Sequence, residues 1–359
     1  MKTPSYDVAD FGMTKYGEKA RKFILNGAGG AVLEVTDYGG KVVKLFVPDR
    51  DGKLVDVSIG FDDPSGWENY DPYWGSIVGR YCNRIAKGVF TLNGKTYSVP
   101  RNNVSGGVEC ALHGGTRGWD AYVWAAAPFA TEEDVGIVFT RTSPDGENGF
   151  PGKVEVKATY TLTKDNVWRV EFEAVPDQDT PICMTQHWLF NLNGEASGSV
   201  DDHLLKLAAS ATTPVTPDKI PTGEVRPVAG TPFDFLSLRR IGSGINAKDE
   251  QLEIGEGYDH NFVLDKGEGF GYAGELRSPL NGVKLEVWTT EPCIHCCTSN
   301  WARYDEIAKN GEHLSFRCGI SLETQHVPDS PNQPKWPTTI VKAGATYRAV
   351  NEYRFGVVS

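Results

Sequence analysis

The chain has 359 residues, of which 40% are hydrophobic and 23% charged, and its net charge is −11 at neutral pH. That size and balance suit a globular fold with a substantial core, while the acidic excess argues against nucleic acid or an anionic membrane surface as partner, since both need clustered positive charge. No apolar run nears the ~18 residues of a membrane-crossing helix, and the start, "MKTPSYDVADFG", lacks the apolar stretch of a secretory leader, so the cytoplasm is the expected location.

In chain order, "AVLEVTDYGGKVVKLFVPDRDGKLVDVSIGF" (31–61) reads as three strands separated by Gly-Gly and Asp-Gly turns. Next, Asn83 and Arg84 fall between two strand-like runs. The pair can donate several hydrogen bonds to hydroxyl oxygens, but on this segment alone a surface turn with a solvated arginine is the simpler reading. "VFTLNGKTYSV" (89–99) is a hairpin, with Asn93-Gly94 supplying the positive φ angles of a type I′ turn. His113 stands before Gly114-Gly115, which lets a ligand or the backbone approach closely. A packed or capping histidine reads equally well.

The clearest periodicity lies in 153–175. Val154, Val156, Ala158, Tyr160 and Leu162 alternate with polar residues. After a Lys164–Asn166 turn, Trp168, Val170, Phe172 and Ala174 do the same. A period of two gives one apolar and one polar face, which predicts a long antiparallel hairpin. In "MTQHWLFNLNG", Gln186, Trp188 and Phe190 share one parity and His187 the other, so His187 faces away from Trp188. It is either a satisfied core histidine or a site group. Short helical turns are expected at 236–241 and 305–310. In "GYDHNFVL", Asp259 reads as a turn former or as a carboxylate accepting from hydroxyls, and spacing leaves open whether Asp259 or His260 points inward.

Strands are expected at 283–288 and 315–322. The second continues to Glu323 and Gln325, with Phe316, Cys318, Ile320 and Leu322 on one face and Gly319, Ser321 and Glu323 on the other. Small neighbours leave space beside the Glu323 carboxylate, although a water-facing strand has the same pattern. Seven unevenly spread cysteines do not form a disulfide framework, and reduced thiols are expected. "CIHCC" (293–297) contains a C-x-x-C, yet no second pair completes a zinc site, and a strand would send Cys296 and Cys297 to opposite faces. The expectation is buried thiols and no metal. Neither a P-loop, a G-x-G-x-x-G nor a G-x-S-x-G is present. With glycine and proline spread throughout and no linker or repeat, the predicted fold is all-β, a large antiparallel β-sandwich forming one domain over 1–359.

Taken together and in order, "GRYCNRIAKGVFTLNGKTY", "LHGG", "QHWLFNL", "GYDHNF" and "LETQHVPDSPNQP" resemble the aldose 1-epimerase (galactose mutarotase) family from about Asp37 to Pro334. The family fold is a large antiparallel β-sandwich, and its members interconvert the α and β anomers of free aldoses by acid–base ring opening without a cofactor. Matched residue by residue, the resemblance implies Glu323 as catalytic base and His187 as catalytic acid. It implies Asn83, Arg84, His113 and Asp259 as sugar-binding residues, with His113 also able to assist the proton transfer. His295 stands where the family often carries a sugar-contacting glutamine. "NNVSGGVECALHGG" is longer before the histidine than the family usually is. The implied partner is a neutral hexose or pentose, bound by a monomer or homodimer. The alternatives are a sugar-binding module without turnover, suggested by the flanks of His187, where the chain reads Gln186-His187-Trp188-Leu189-Phe190-Asn191-Leu192 and the family commonly has Asn-His-Ser-Tyr-Phe-Asn-Leu, and a hexose-phosphate epimerase, which would need more cationic groups than this acidic chain offers.

Overall fold

The structure, a computed structural model, describes residues 3–70, 73–302 and 307–358. Its strand pairs are antiparallel, and three sheets dominate. A nine-stranded sheet is built around the predicted hairpin: Val154–Leu162 pairs with Val167–Pro176, which pairs in turn with Tyr347–Val357. The alternation read from the sequence is the reason. Its apolar parity points inward, and Tyr160, Trp168, Phe172 and Tyr353 are almost wholly buried. A five-stranded meander, Ser5–Met13 to Leu54–Asp56, contains the three strands expected in 31–61.

The six-stranded sheet carries the chemistry. Its order is Leu189–Phe190, Ile320–Gln325, Cys293–Cys297, Asp259–Val263, Ala211–Thr212 and Arg226–Pro227. One face, with Ile320, Leu322, Ile294, Cys296 and Phe262, joins the same hydrophobic core as the nine-stranded sheet. The two sheets therefore pack as a sandwich. Each fully buried apolar side chain contributes about 1.5–3 kcal/mol relative to exposure. The opposite face is polar, with Glu323, His295, Asn261 and Asp259.

Two short α-helices occur among the described residues, Pro64–Asn69 and Glu250–Gly255. Each is capped by an aspartate: Asp63 accepts from the Ser65 N–H, and Asp249 from the N–H groups of Gln251 and Leu252. Neither has enough apolar periodicity to read from sequence. Several expectations need correction. The strand ending in Gln325 begins at Ile320, because Phe316-Arg317 forms a turn with Arg317 at φ +57°. The helical turn expected at 236–241 begins only at Ile241, after the bridging pair Arg239–Arg240. The turn expected at 305–310 lies partly outside the described residues, and its described part leads into a 3₁₀ turn, Lys309–Gly311. No helix among the described residues is long and apolar enough to cross a membrane.

Candidate active site

The polar face of the six-stranded sheet floors a cleft of about 460 Å³. All seven residues singled out from the sequence (Asn83, Arg84, His113, His187, Asp259, His295 and Glu323) line it. Strand register explains most of this convergence. His295 lies directly opposite Glu323, and Asn261 opposite His295. On the other side, Leu189 pairs with Ser321, so extending that register by two residues sets His187 opposite Glu323. Glu323 therefore sits in a cross-strand row between two histidines. Asp259 lies two residues from Asn261 on the same face, opposite Cys297.

His187 is turned outward by what its neighbours bury. Trp188 packs edge-on against Trp168, with ring centroids 4.7 Å apart, and Gln186 Nε2 donates to the Gly75 carbonyl and to the Tyr160 hydroxyl inside the core. The intervening side chain has only the cleft to enter. His187 Nε2 lies 3.6 Å from Glu323 Oε1, beyond hydrogen-bond range, and its Nδ1 is buried without a hydrogen-bond partner. It is not a satisfied core histidine. Glu323, 2% exposed, accepts one hydrogen bond from the Ser321 hydroxyl at 3.0 Å, while its Oε2 is buried with no partner. Buried polar atoms are nearly always paired, so an orphan carboxylate oxygen in a cleft marks a place for a ligand's hydroxyl.

His113 reaches the cleft through a strained turn. It holds φ +50°, and Gly114 follows at φ +90°. A Cβ on Gly114 would sit 2.2 Å from the Gly79 carbonyl oxygen, so only glycine lets the two chain segments touch here. His113 Nδ1 accepts from the Asn83 N–H at 3.2 Å, which leaves Nε2 carrying the proton of the neutral ring. Burial, reinforced by the neighbouring His187 and Arg84, pushes His113 well below the usual histidine value. It is a fixed neutral donor. Its ring lies 4.9 Å from that of His187, edge to face, and 4.7 Å from that of Tyr73.

Asn83 and Arg84 are not a surface turn, since they are only 4% and 9% exposed. The proline-rich loop after Glu323 braces this segment: the Asp329 N–H donates to the Arg84 carbonyl, Asp329 Oδ1 accepts from the Ala86 N–H, and the Ser330 N–H donates to the Tyr81 hydroxyl. Arg84 forms no ion pair among the described residues, and its Nε is buried without a partner.

Asp259 starts a strand instead of forming a turn, and it points into the cleft. His260 points the other way, its ring against Phe233 and its Nδ1 accepting from the Asp259 N–H. Both Asp259 oxygens are engaged, Oδ1 with His295 Nε2 at 2.8 Å and Oδ2 with Lys219 Nζ at 2.9 Å. Burial alone would raise this carboxyl, but the Lys219 ammonium and the His295 hydrogen bond outweigh it and hold Asp259 well below the usual carboxylate range. Of the cysteines in 293–297, Cys297 borders the cleft and Cys296 joins the core, and all seven of the chain are buried and outside any disulfide.

Sequence reasoning missed Tyr73, Lys219 and Trp301, which also line the cleft. Tyr73 and Trp301 lie in loops without periodicity. The unusual length before His113 is a hairpin, Asn103–Ser105 with Val108–Leu112, whose tip forms part of the cleft wall.

The aldose 1-epimerase family model matches residues 21–354. The chain belongs to the aldose 1-epimerase family. Among its relatives in that family, the galactose mutarotase of Mus musculus is 37% identical over 325 residues, covering 90% of this chain and 91% of the relative. The aldose 1-epimerase of Escherichia coli K12 is 33% identical over 342 residues, covering 94% and 96%. Among solved structures, a galactose 1-epimerase from Lactobacillus acidophilus superposes with a TM-score of 0.86 at 24% identity, over 99% of this chain and 100% of that one. A C. elegans homologue gives 0.82 at 26%, with the same coverage. These structures share the antiparallel sandwich. Within this aldose 1-epimerase fold, the cleft combines an acceptor oxygen without a partner, three imidazoles, and a charged pair at its far end.

Proposed function

We propose that the protein is an aldose 1-epimerase that opens and recloses the ring of a free aldose, with Glu323 as base and His187 as acid. The observation that carries this reading is the unpartnered, buried Glu323 Oε2 beside an imidazole whose Nε2 lies 3.6 Å from the same carboxylate. A base and an acid this close, yet not bonded to each other, can address two oxygens joined to one carbon. In the cyclic hemiacetal these are O1 and the ring oxygen.

Glu323 takes the proton from O1. The O1–H electrons become the second bond of C1=O, the bond from C1 to the ring oxygen breaks, and His187 delivers a proton to that oxygen. Rotation about C1–C2 exposes the other face of the aldehyde, and closure runs both transfers in reverse. Positioned acid and base groups typically contribute roughly 10²–10⁴-fold each. His113, a neutral donor, together with Asn83, Arg84, Asp259 and His295, holds the remaining hydroxyls. No step calls for a metal, a nucleotide or a covalent intermediate, and we read residues 1–359 as one unit serving this cleft.

Several relatives are named galactose mutarotases, so galactose is the first substrate to try, with glucose and xylose beside it. Polarimetry on freshly dissolved α anomers is the test. Catalysed decay of optical rotation for at least one of them is expected, and decay at the buffer rate for all three would overturn the reading.

A further inference from the structure

Lys219 belongs to none of the segments that identified the cleft from sequence. It sits in a closed turn: the Thr216 N–H and hydroxyl both donate to the Ile220 carbonyl, the Lys219 N–H donates to Thr216, and Val215 bridges to Pro221. The turn holds Lys219 at φ +59°, a conformation that costs a non-glycine residue and persists only where surrounding contacts fix it. One such contact is the hairpin before His113. Its tip, Gly106, lies so close that a Cβ would sit 2.6 Å from the Pro217 carbonyl oxygen. Turn and hairpin thus wall one side of the cleft together, and the Lys219 side chain, 16% exposed, lies inward with its ammonium on Asp259.

We propose that Lys219 is a specificity-determining residue that contacts the substrate, gripping with Asp259 and His295 the sugar hydroxyls remote from the reacting carbon. The inference rests on reading the cleft as an aldose site. An ammonium has three N–H donors, and among the described residues Lys219 uses one of them, on Asp259 Oδ2. Each Asp259 oxygen has taken one hydrogen bond and keeps a second lone pair. A sugar hydroxyl is donor and acceptor at once. A locked carboxylate lone pair beside a locked ammonium N–H satisfies both halves of it, whereas a lone carboxylate satisfies one. Sites of this kind reject an analogue that lacks the hydroxyl, because their own polar groups are then left unpaired.

The bland account is that Lys219 only neutralises a buried Asp259. The two accounts separate in calorimetric titrations of the full chain and of Lys219→Met with D-galactose, its monodeoxy analogues and galacturonate. Loss of a charge-assisted hydrogen bond should weaken galactose binding about tenfold or more. One monodeoxy analogue should bind both proteins equally weakly, because it lacks the hydroxyl that Lys219 holds. Lys219→Gln, which keeps a donor without the charge, should recover part of the affinity; it also carries the test if the Met variant fails to fold. Unchanged affinity for every sugar, or the same weakening across the whole deoxy series, would overturn the inference. So would galacturonate binding more tightly than galactose in a Lys219-dependent way, since that makes Lys219 a carboxylate receptor. Calorimetry reads binding and polarimetry reads turnover, so the two readings fail separately. A chain that binds galactose with this pattern but epimerises none of the three aldoses sinks the mutarotase reading alone. A chain that epimerises galactose with Lys219-independent binding sinks this inference alone.

Discussion

The two carboxylates of the cleft stand on neighbouring parts of one sheet face and live in opposite environments. Asp259 has a partner for each oxygen, an ammonium and an imidazole, and is held firmly anionic. Glu323 has one hydroxyl donor, one empty oxygen and an imidazole just out of reach. A carboxylate already compensated on both oxygens is a poor proton acceptor and a good fixed contact. One left short of donors is free to exchange a proton with whatever enters. On the proposed reading, this difference puts the chemistry at the Glu323 end and the grip at the Asp259 end.

The largest effect should come from the uncompensated side. Glu323→Gln keeps the shape and the Ser321 contact but cannot take a proton, so kcat should fall by roughly 10³-fold while calorimetry finds galactose affinity within a few-fold of wild type. A variant keeping most of its kcat would break the comparison at its more important end. Asp259→Asn should show the reverse, with KM raised about tenfold or more and kcat falling far less than in Glu323→Gln. Equal kcat losses in the two variants would mean that both carboxylates serve the reaction in the same way.

The smallest effect expected lies in the pH dependence of stability. Asp259 is depressed below its ordinary 3.8, so its contribution to stability is present above that value and is lost only as pH falls through the lower folded value. Lys219 is raised above its ordinary 10.5, chiefly by the Asp259 charge, so its contribution is present below that value and lost as pH rises through the higher one. In Lys219→Met, however, burial is left to push Asp259 up, so the stability difference between wild type and variant should be flat at alkaline pH up to about 9 and shrink as pH falls toward about 5, where the variant's folded Asp259 takes up a proton. Absolute stability will not be flat. Burial holds His203, His260 and His326 at about 4, so the unfolded chain takes up more protons and both proteins weaken as pH drops below about 6.5. Urea melts across this range read both quantities. A wild-type-to-variant difference that stays flat from pH 8 to pH 5 would show that Lys219 is not what holds the Asp259 carboxyl low.

Period-two alternation exposed the hairpin 153–175 and the polarity of the strand ending at Glu323, because an antiparallel strand with one buried face must write that face into every second residue. It also turned His187 away from Trp188. It failed where cleft residues hang on turns. Asn83 and Arg84 look like a solvated turn until the Asp329 loop is seen to brace them. Asp259 and His260 occupy opposite faces of one strand, and "GYDH" does not say which face meets the core. Lys219 was invisible for the same reason. Its place is fixed by a closed turn wedged against a hairpin more than a hundred residues earlier, and the available hint was a lysine in a short segment flanked by Pro217 and Pro221.

The most direct test of which end does what is a crystal structure with galactose bound to the Glu323→Gln protein. O1 is predicted within hydrogen-bond distance of residue 323, with the ring oxygen facing the His187 imidazole and hydroxyls away from C1 meeting Asp259 and Lys219. A sugar lying the other way round, with C1 at Asp259, would contradict the account.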